Sequence, residues 1–392
     1  MMLASLYLLA FAVLSSLFAS CLCSEAFKVS QVSSLNRRPR GGPTGLARAY
    51  ARYGLPVSQS LATSDAGQLK GHISSSSADL VDYEIMYSTP ITIGGQKFNM
   101  QLDTGSSAVW VYSAFTPEDM RGPNRSVYDP SLSPTSRIIP NVSLVETYGG
   151  GSIYVSGLAY TDTLTIGDLV VPSQAVGATE NVSSSFYSIP TIDGILGLSA
   201  YNGSGGSDLS RERPGNAEGT SLYRLPQSWK WRGFTFGYIP EPYSETTLTW
   251  VNSTSDWSTI ITGWAIGTPS NMTSTSLGPI VDTGTPFLLL PPDYCTEYYN
   301  SVTTVLQGSY HGETGFIYPC NTTLPDLYLK IGEYTATIKG DQIAGPEVGN
   351  GYCWGHLQPI AGPNVPSAIL GDTFLQSTFT VFKLPAGDFG IR

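Results

Sequence analysis

NMQLDTGSSAVWV at Asn99–Val111 and GPIVDTGTPFLLLP at Gly278–Pro291 are two copies of one device, an apolar strand that delivers an Asp-Thr-Gly turn. The first is followed by IDGILGLS (Ile192–Ser199) and the second by SAILGDTF (Ser367–Phe374), so order is preserved as well as composition. Asp103 lies 94 residues before Gly197, and Asp282 lies 89 before Gly371. Self-similarity on this scale sets the architecture before any single element does. It implies two homologous halves, each pairing its turn with a later Ile-Leu-Gly strand.

An isolated Asp-Thr-Gly is ordinarily a polar turn between strands, with glycine supplying the tight bend. Two copies in matched contexts suggest more. If the halves are related by an approximate twofold axis, Asp103 and Asp282 meet face to face. Carboxyls that close cannot both ionise cheaply, so one serves as base while the other keeps its proton. Such a pair can deprotonate a water held between them and polarise a carbonyl. This chemistry needs no metal, cofactor or covalent nucleophile.

The rest of the chain reads as mainly β. Short runs of alternating or β-branched residues bounded by Gly, Pro, Ser or Asn recur about every ten positions. Examples are residues 88–93, 98–102, 108–112, 164–166, 260–266 and 328–331; residues 292–306 are the principal helix candidate. Only 13% of the residues are charged, against 42 Gly, 27 Pro and 23 Tyr, a composition that suits an extracellular β protein.

The chain opens on an apolar stretch without charge until Glu25, read as a secretory signal over residues 1–23. No other apolar run long enough to span a bilayer follows, so no stable membrane association is expected. Residues 24–70 carry seven of the 20 basic residues, Lys28, Arg37, Arg38, Arg40, Arg48, Arg52 and Lys70, but two of the 30 acidic ones, Glu25 and Asp65. Residues 71–392 therefore hold 13 basic against 28 acidic residues, a net charge of −15. A basic leader of about residues 24–75 should dock on that acidic body near neutral pH and leave when carboxylates protonate. The same charge excludes nucleic acid as a partner, because phosphate recognition needs clustered Lys and Arg.

Beyond the signal, Cys295, Cys320 and Cys353 remain, which allows one disulfide and one free thiol. Seven Asn-x-Ser/Thr sequons, at Asn124, Asn141, Asn181, Asn202, Asn252, Asn271 and Asn321, are candidate glycosylation sites on exposed loops.

With these residues in hand, the chain from about residue 80 to 392 resembles the pepsin family of aspartic proteases, in particular the fungal penicillopepsin type. That family carries hydrophobic-Asp-Thr-Gly-Ser/Thr in each of two lobes with a hydrophobic-hydrophobic-Gly strand behind each turn. YSTPITIGGQ (Tyr87–Gln96), FTFGYIP (Phe234–Pro240), YPCNTTLPDLYLKIG (Tyr318–Gly332) and the leader segments FKVSQV and LARAYARYGLPV are similar to its segments. The resemblance implies a bilobal acid-protease fold, with residues 76–240 as the N-terminal lobe and 241–392 as the C-terminal lobe. It implies a secreted, monomeric endopeptidase made as a zymogen, acting at acidic pH on polypeptides with large apolar residues flanking the cut, and inhibited by its own propeptide. Asp103 and Asp282 resemble the catalytic pair. Thr104 and Thr283 resemble the threonines that hydrogen-bond across the lobes, Gly105 and Gly284 the glycines of the supporting turns, and Ser106 and Thr285 the residues bonding the outer carboxylate oxygens. ETYGGGSIYVSG (Glu146–Gly157) is similar to the flap over the substrate, with Tyr148 bonding Trp110 and with Gly149 and Gly150 at its tip. The resemblance also pairs Cys320 with Cys353 and leaves Cys295 as a buried thiol.

The pattern departs from the family in three places. Gly150 stands where several fungal relatives carry an acidic residue linked to Lys acceptance. The segment between Leu198 and Phe234 lacks a clear amphipathic helix. Pro286 follows Thr285, and the chain ends at Gly390-Ile391-Arg392 rather than on small apolar residues. Two other readings compete: a binding protein on the same fold, which commonly loses one Asp-Thr-Gly, and a membrane-tethered processing protease, which needs a hydrophobic C-terminal tail. Both triplets are present, and no such tail follows Asp388.

Overall fold

The computed structural model describes residues 27–30, 32–33, 43–53, 55, 87–122, 125–148, 153–167, 169–183, 186, 192–199, 221–224, 233–236, 248–253, 257–302, 306–310, 313–362, 365–383 and 388–392. Residues 1–23, Asn124, Gly149, Gly150, Asn202 and most of the stretch from 199 to 233 lie outside them.

Two leader strands, β1 (Phe27–Ser30) and β2 (Val32–Ser33), precede a helix over Pro43–Arg52. The first half then runs through β3 (Tyr87–Ile93), β4 (Gln96–Asp103), β5 (Val109–Val111), β6 (Arg137–Tyr148), β7 (Ile153–Ile166), β8 (Leu169–Val182) and β9 (Gly194–Gly197). With β2 at one edge they form one sheet in the order β2-β3-β4-β9-β5-β8-β7-β6.

The sequence repeat is a repeat of topology. In the first half β4 runs parallel to β9, with Asp103 opposite Gly197, and β5 runs antiparallel on the other side of β9. In the second half Pro279–Val281 runs parallel to Ala368–Leu370, and Leu288–Leu290 runs antiparallel to it. Strands buried on both faces read as unbroken apolar runs, which is why Pro279–Val281 and Leu288–Leu290 show no alternation. The glycine closing each Ile-Leu-Gly is dictated by contact. A Cβ on Gly197 would lie 2.5 Å from the Ser107 carbonyl carbon, and one on Gly371 would lie 2.2 Å from the Thr285 carbonyl oxygen.

A six-stranded sheet draws on distant parts of the chain: β1, Gly233–Phe236, Ser221–Arg224, Thr380–Lys383, Asp388–Ile391 and Thr249–Val251, in that order. The leader helix packs elsewhere. Leu46, Ala49 and Leu55 are buried in a cluster with Ile280, Phe287, Leu289, Trp354, Ile360 and Ile369 of the second half. The Tyr50 hydroxyl donates to the Pro359 carbonyl at 2.5 Å.

The helix expected over 292–306 ends at Asn300, with Ser301 as its C-cap, and Leu306 already opens a strand (Leu306–Tyr310). The β-branched run Val302-Thr303-Thr304-Val305 in the sequence supplies the reason, since such residues disfavour helix. That helix buries Cys295, whose thiol is free and is pushed well up by burial, with its Sγ donating to the Leu290 carbonyl at 3.6 Å. No helix among the described residues is long and apolar enough to cross a membrane.

Cys320 and Cys353 form a disulfide spanning 33 residues. A loop of that length confers about 3–4 kcal/mol on the chain-entropy account. Replacing both cysteines by serine is expected to lower unfolding stability by that amount in a denaturant titration, while Cys295→Ser, which closes no loop, follows its local packing alone.

Candidate active site

Each Asp-Thr-Gly turn is held by the strand behind it. Leu198 N–H donates to the Asp103 carbonyl at 2.7 Å, and Asp282 N–H donates to the Leu370 carbonyl at 3.1 Å. Both aspartate side chains are fully buried. Their hydrogen bonds match atom for atom. Gly105 N–H donates to Asp103 Oδ1 at 2.9 Å and Gly284 N–H to Asp282 Oδ1 at 2.7 Å. Ser106 Oγ donates to Asp103 Oδ2, and Thr285 Oγ1 donates to Asp282 Oδ2 at 2.5 Å.

The threonines lock the two turns together. Thr104 Oγ1 donates to the Val281 carbonyl at 2.9 Å and accepts from Thr283 N–H at 3.0 Å. Thr283 Oγ1 donates to the Leu102 carbonyl at 2.8 Å and accepts from Thr104 N–H at 3.0 Å. The exchange leaves no room for side chains. A Cβ on Gly105 would sit 2.5 Å from Asp282 Oδ1, and one on Gly284 would sit 2.5 Å from Asp103 Oδ1. Residues 179 apart thus bring two carboxyls to one place.

Between the turns lies the end of the leader helix. Arg52 Nη2 donates to both oxygens of Asp103 at 2.6 Å, and Arg52 Nε lies 3.7 Å from Asp282 Oδ2. The Tyr53 hydroxyl donates to Asp282 Oδ2 at 2.6 Å. Burial disfavours charge on all four groups, and their partners then divide them. For Asp282, burial is outweighed by the Arg52 charge and by the bonds from Thr285, Tyr53 and Gly284, so its carboxyl is held below the usual range. For Asp103, burial and the facing Asp282 charge prevail over Arg52 and Ser106, and its carboxyl is raised. The Arg52 guanidinium, disfavoured by burial, is driven well up by the two carboxylates, and the Tyr53 hydroxyl is raised by burial and by Asp282.

Beyond the carboxyls, Trp110 Nε1–H donates to the Tyr148 hydroxyl at 3.1 Å. Phe186 sits edge-on to both rings, at 5.2 Å from Trp110 and 5.4 Å from Tyr148. Burial raises the Tyr148 hydroxyl strongly, with Glu146 and Asp103 adding to the effect, so it remains a neutral hydrogen-bonding group. The Arg52 guanidinium lies 5.9 Å from the Tyr148 ring centroid, within cation–π reach.

The structure therefore brings together Asp103, Asp282, Thr104, Thr283, Gly105, Gly284, Ser106 and Thr285, and places Tyr148 with Trp110 beside them. Arg52, Tyr53 and Phe186 are the members that sequence reasoning did not single out. For Arg52 the signals were the basic leader and the ARYG segment, but nothing in the composition selects one arginine among several. Phe186 follows a Ser run and carries no local signature.

Comparison with known proteins agrees with this geometry. The family model for eukaryotic aspartyl proteases matches residues 86–212 and 221–391. The chain is 32% identical over 365 residues to endothiapepsin of Cryphonectria parasitica, covering 87% of this chain and 84% of the relative. It is 30% identical to penicillopepsin-3 of Penicillium janthinellum and 31% identical to aspergillopepsin-1 of Aspergillus oryzae, each over 374 residues, 91% of this chain and 90% of the relative. Two carboxyls in a doubled turn, with a family match on both sides of it, place the chain in the eukaryotic aspartyl protease family.

Proposed function

We propose that the chain is a secreted aspartic endopeptidase, made as a zymogen, in which Asp103 and Asp282 activate a water against a peptide carbonyl. The observation that carries this reading is the pair of buried carboxyls held in identical hydrogen-bonded frames. With the leader gone, the ionised carboxyl takes a proton from water as that water attacks the carbonyl carbon. The protonated carboxyl donates to the carbonyl oxygen, and the proton is passed on to the departing amine. Tyr148, Trp110 and Phe186 offer an apolar wall with one hydroxyl, which favours large apolar side chains beside the cut. Gly149 and Gly150 would form the flap tip. Residues 1–23 serve as signal, about 24–75 as propeptide, 76–240 and 241–392 as the two lobes, and the enzyme acts as a monomer outside the cell.

Asp103→Asn or Asp282→Asn should lower peptide hydrolysis at about pH 3 to 5 by at least about 10²- to 10⁴-fold. Pepstatin should abolish wild-type activity, and activity indifferent to it would overturn the mechanism. Thr285→Ala removes a hydrogen bond to a charged acceptor, worth about 1.5–3 kcal/mol, so the acid limb of the kcat/KM profile should move up by at least about one pH unit.

The leader contact supports autoinhibition, because Arg52 and Tyr53 occupy the atoms that would hold the water. The depressed Asp282 group contributes to that contact above its ordinary value of 3.8, and this contribution is lost as pH falls through its lowered value. Release is therefore expected on acidification. In the full-length chain, Arg52→Ala should bind pepstatin near neutral pH without loss of the leader, whereas the wild-type full-length chain should not; equal binding by the two would refute the assignment of Arg52.

A further inference from the structure

The flap hairpin has two unlike faces. Along β6 the side chains of Leu144, Glu146 and Tyr148 are buried, while Ser143, Val145 and Thr147 are exposed. Val145 is 53% and Tyr154 44% exposed, two large apolar side chains on a short outer face. Register puts that face in line with a sequon. Val145 lies opposite Ser156, and Ser156 lies opposite Asn181 on β8. Tyr154 is two residues from Ser156 on the same face, and its N–H and carbonyl both bond the hydroxyl of Ser183, the third residue of the sequon Asn181-Val182-Ser183.

Asn181 does not point away from the hairpin. Its Nδ2 donates to Ser156 Oγ at 3.3 Å, across the middle strand. Glycosylation at Nδ2 leaves one N–H on that nitrogen, and donation from that N–H to Ser156 Oγ would hold the first sugar over β7. Val145 is then two inter-strand spacings away, about 10 Å, and Tyr154 is a diagonal neighbour at about 7–8 Å.

We propose that Asn181 carries an N-linked glycan whose first sugars lie over Val145 and Tyr154 and restrain the flap hairpin from its outer face. The inference rests on the secretory reading given above. The transfer draws on a lipid-diphosphate oligosaccharide donor: the C1–O bond to the diphosphate breaks, C1 bonds to Nδ2, one Nδ2 proton leaves, and the lipid diphosphate departs. The apolar C–H face of a sugar ring covers the Tyr154 ring and the Val145 methyls, while its hydroxyls face water. This explains why two apolar side chains can stand exposed on the outside of a substrate-covering hairpin.

The test uses the full chain secreted from a yeast host, with glycopeptide mass spectrometry at each sequon and amide hydrogen exchange over residues 143–148 and 153–158. Asn181 should be occupied. Asn181→Gln, or removal of the sugar from the folded protein by peptide N-glycosidase, should speed exchange in those strands by about threefold. Asn321→Gln, beside the disulfide in the other half, should leave it unchanged. An empty Asn181 beside occupied sequons elsewhere overturns the proposal, as does unchanged flap exchange after the Asn181 sugar is removed. A secreted chain without sugar at any sequon likewise overturns it, whereas failure of the chain to leave the cell instead overturns the secretory reading on which it rests.

Discussion

Two carboxyl groups closed off from water are expensive, and the architecture around them is organised to meet that cost. A buried carboxylate needs its lone pairs occupied and its charge countered. Here each receives a backbone N–H from its own turn and a hydroxyl three residues on, and the pair faces a shared guanidinium. Those donors are useful only if the turns cannot drift apart. The reciprocal Thr104–Thr283 exchange fixes them, and the parallel strands behind each turn fix the threonines. The leader adds asymmetry to this frame: Arg52 and Tyr53 do not bond the two carboxyls equally, and the titration of Asp103 is shifted up while that of Asp282 is shifted down.

Much of this was legible in the amino-acid order. The doubled Asp-Thr-Gly and doubled Ile-Leu-Gly announced both the pairing of each turn with a later strand and the meeting of the turns, because a repeat of spacing is a repeat of topology; that the pairing is parallel came from the structure. Gly197 and Gly371 illustrate why: their identity is forced by backbone contact that any chain of this topology must make. Ser106, Thr285 and the Trp110–Tyr148 bond followed by resemblance, since their offsets from the turns are fixed. The end of the helix at Asn300 was harder to see, because a helix stops where its next residues find better partners, and Leu306 finds Ile317 on a neighbouring strand. Arg52 was harder still. Its role comes from a helix whose apolar face, Leu46 and Ala49, packs on the second half and sets the last residue between the turns. That is a tertiary fact, and charge counting reaches only its sign.

The leader is thus part of the fold as well as a cover for the carboxyls. Its strands extend two sheets, its helix completes an apolar cluster against Phe287 and Trp354, and its terminal arginine reaches Tyr148. Contacts of such different kinds respond to different conditions. The ionic ones weaken on acidification, whereas the apolar ones do not.

The six-stranded sheet carries a consequence for how the molecule is assembled. Phe27 pairs with Phe236, Ser221 with Lys383 and Thr249 with Ile391, so every strand waits on a partner far away in the chain. Closing loops of that length costs entropy before any hydrogen bond repays it, and sheets built from such pairings form slowly. A chain emerging from its N-terminus cannot complete this sheet until its last residues arrive. The two halves can organise their turns in order of synthesis, but the layer that joins them is a late event, with the leader strand at its edge during the interval when the unfinished sheet is most exposed to wrong partners.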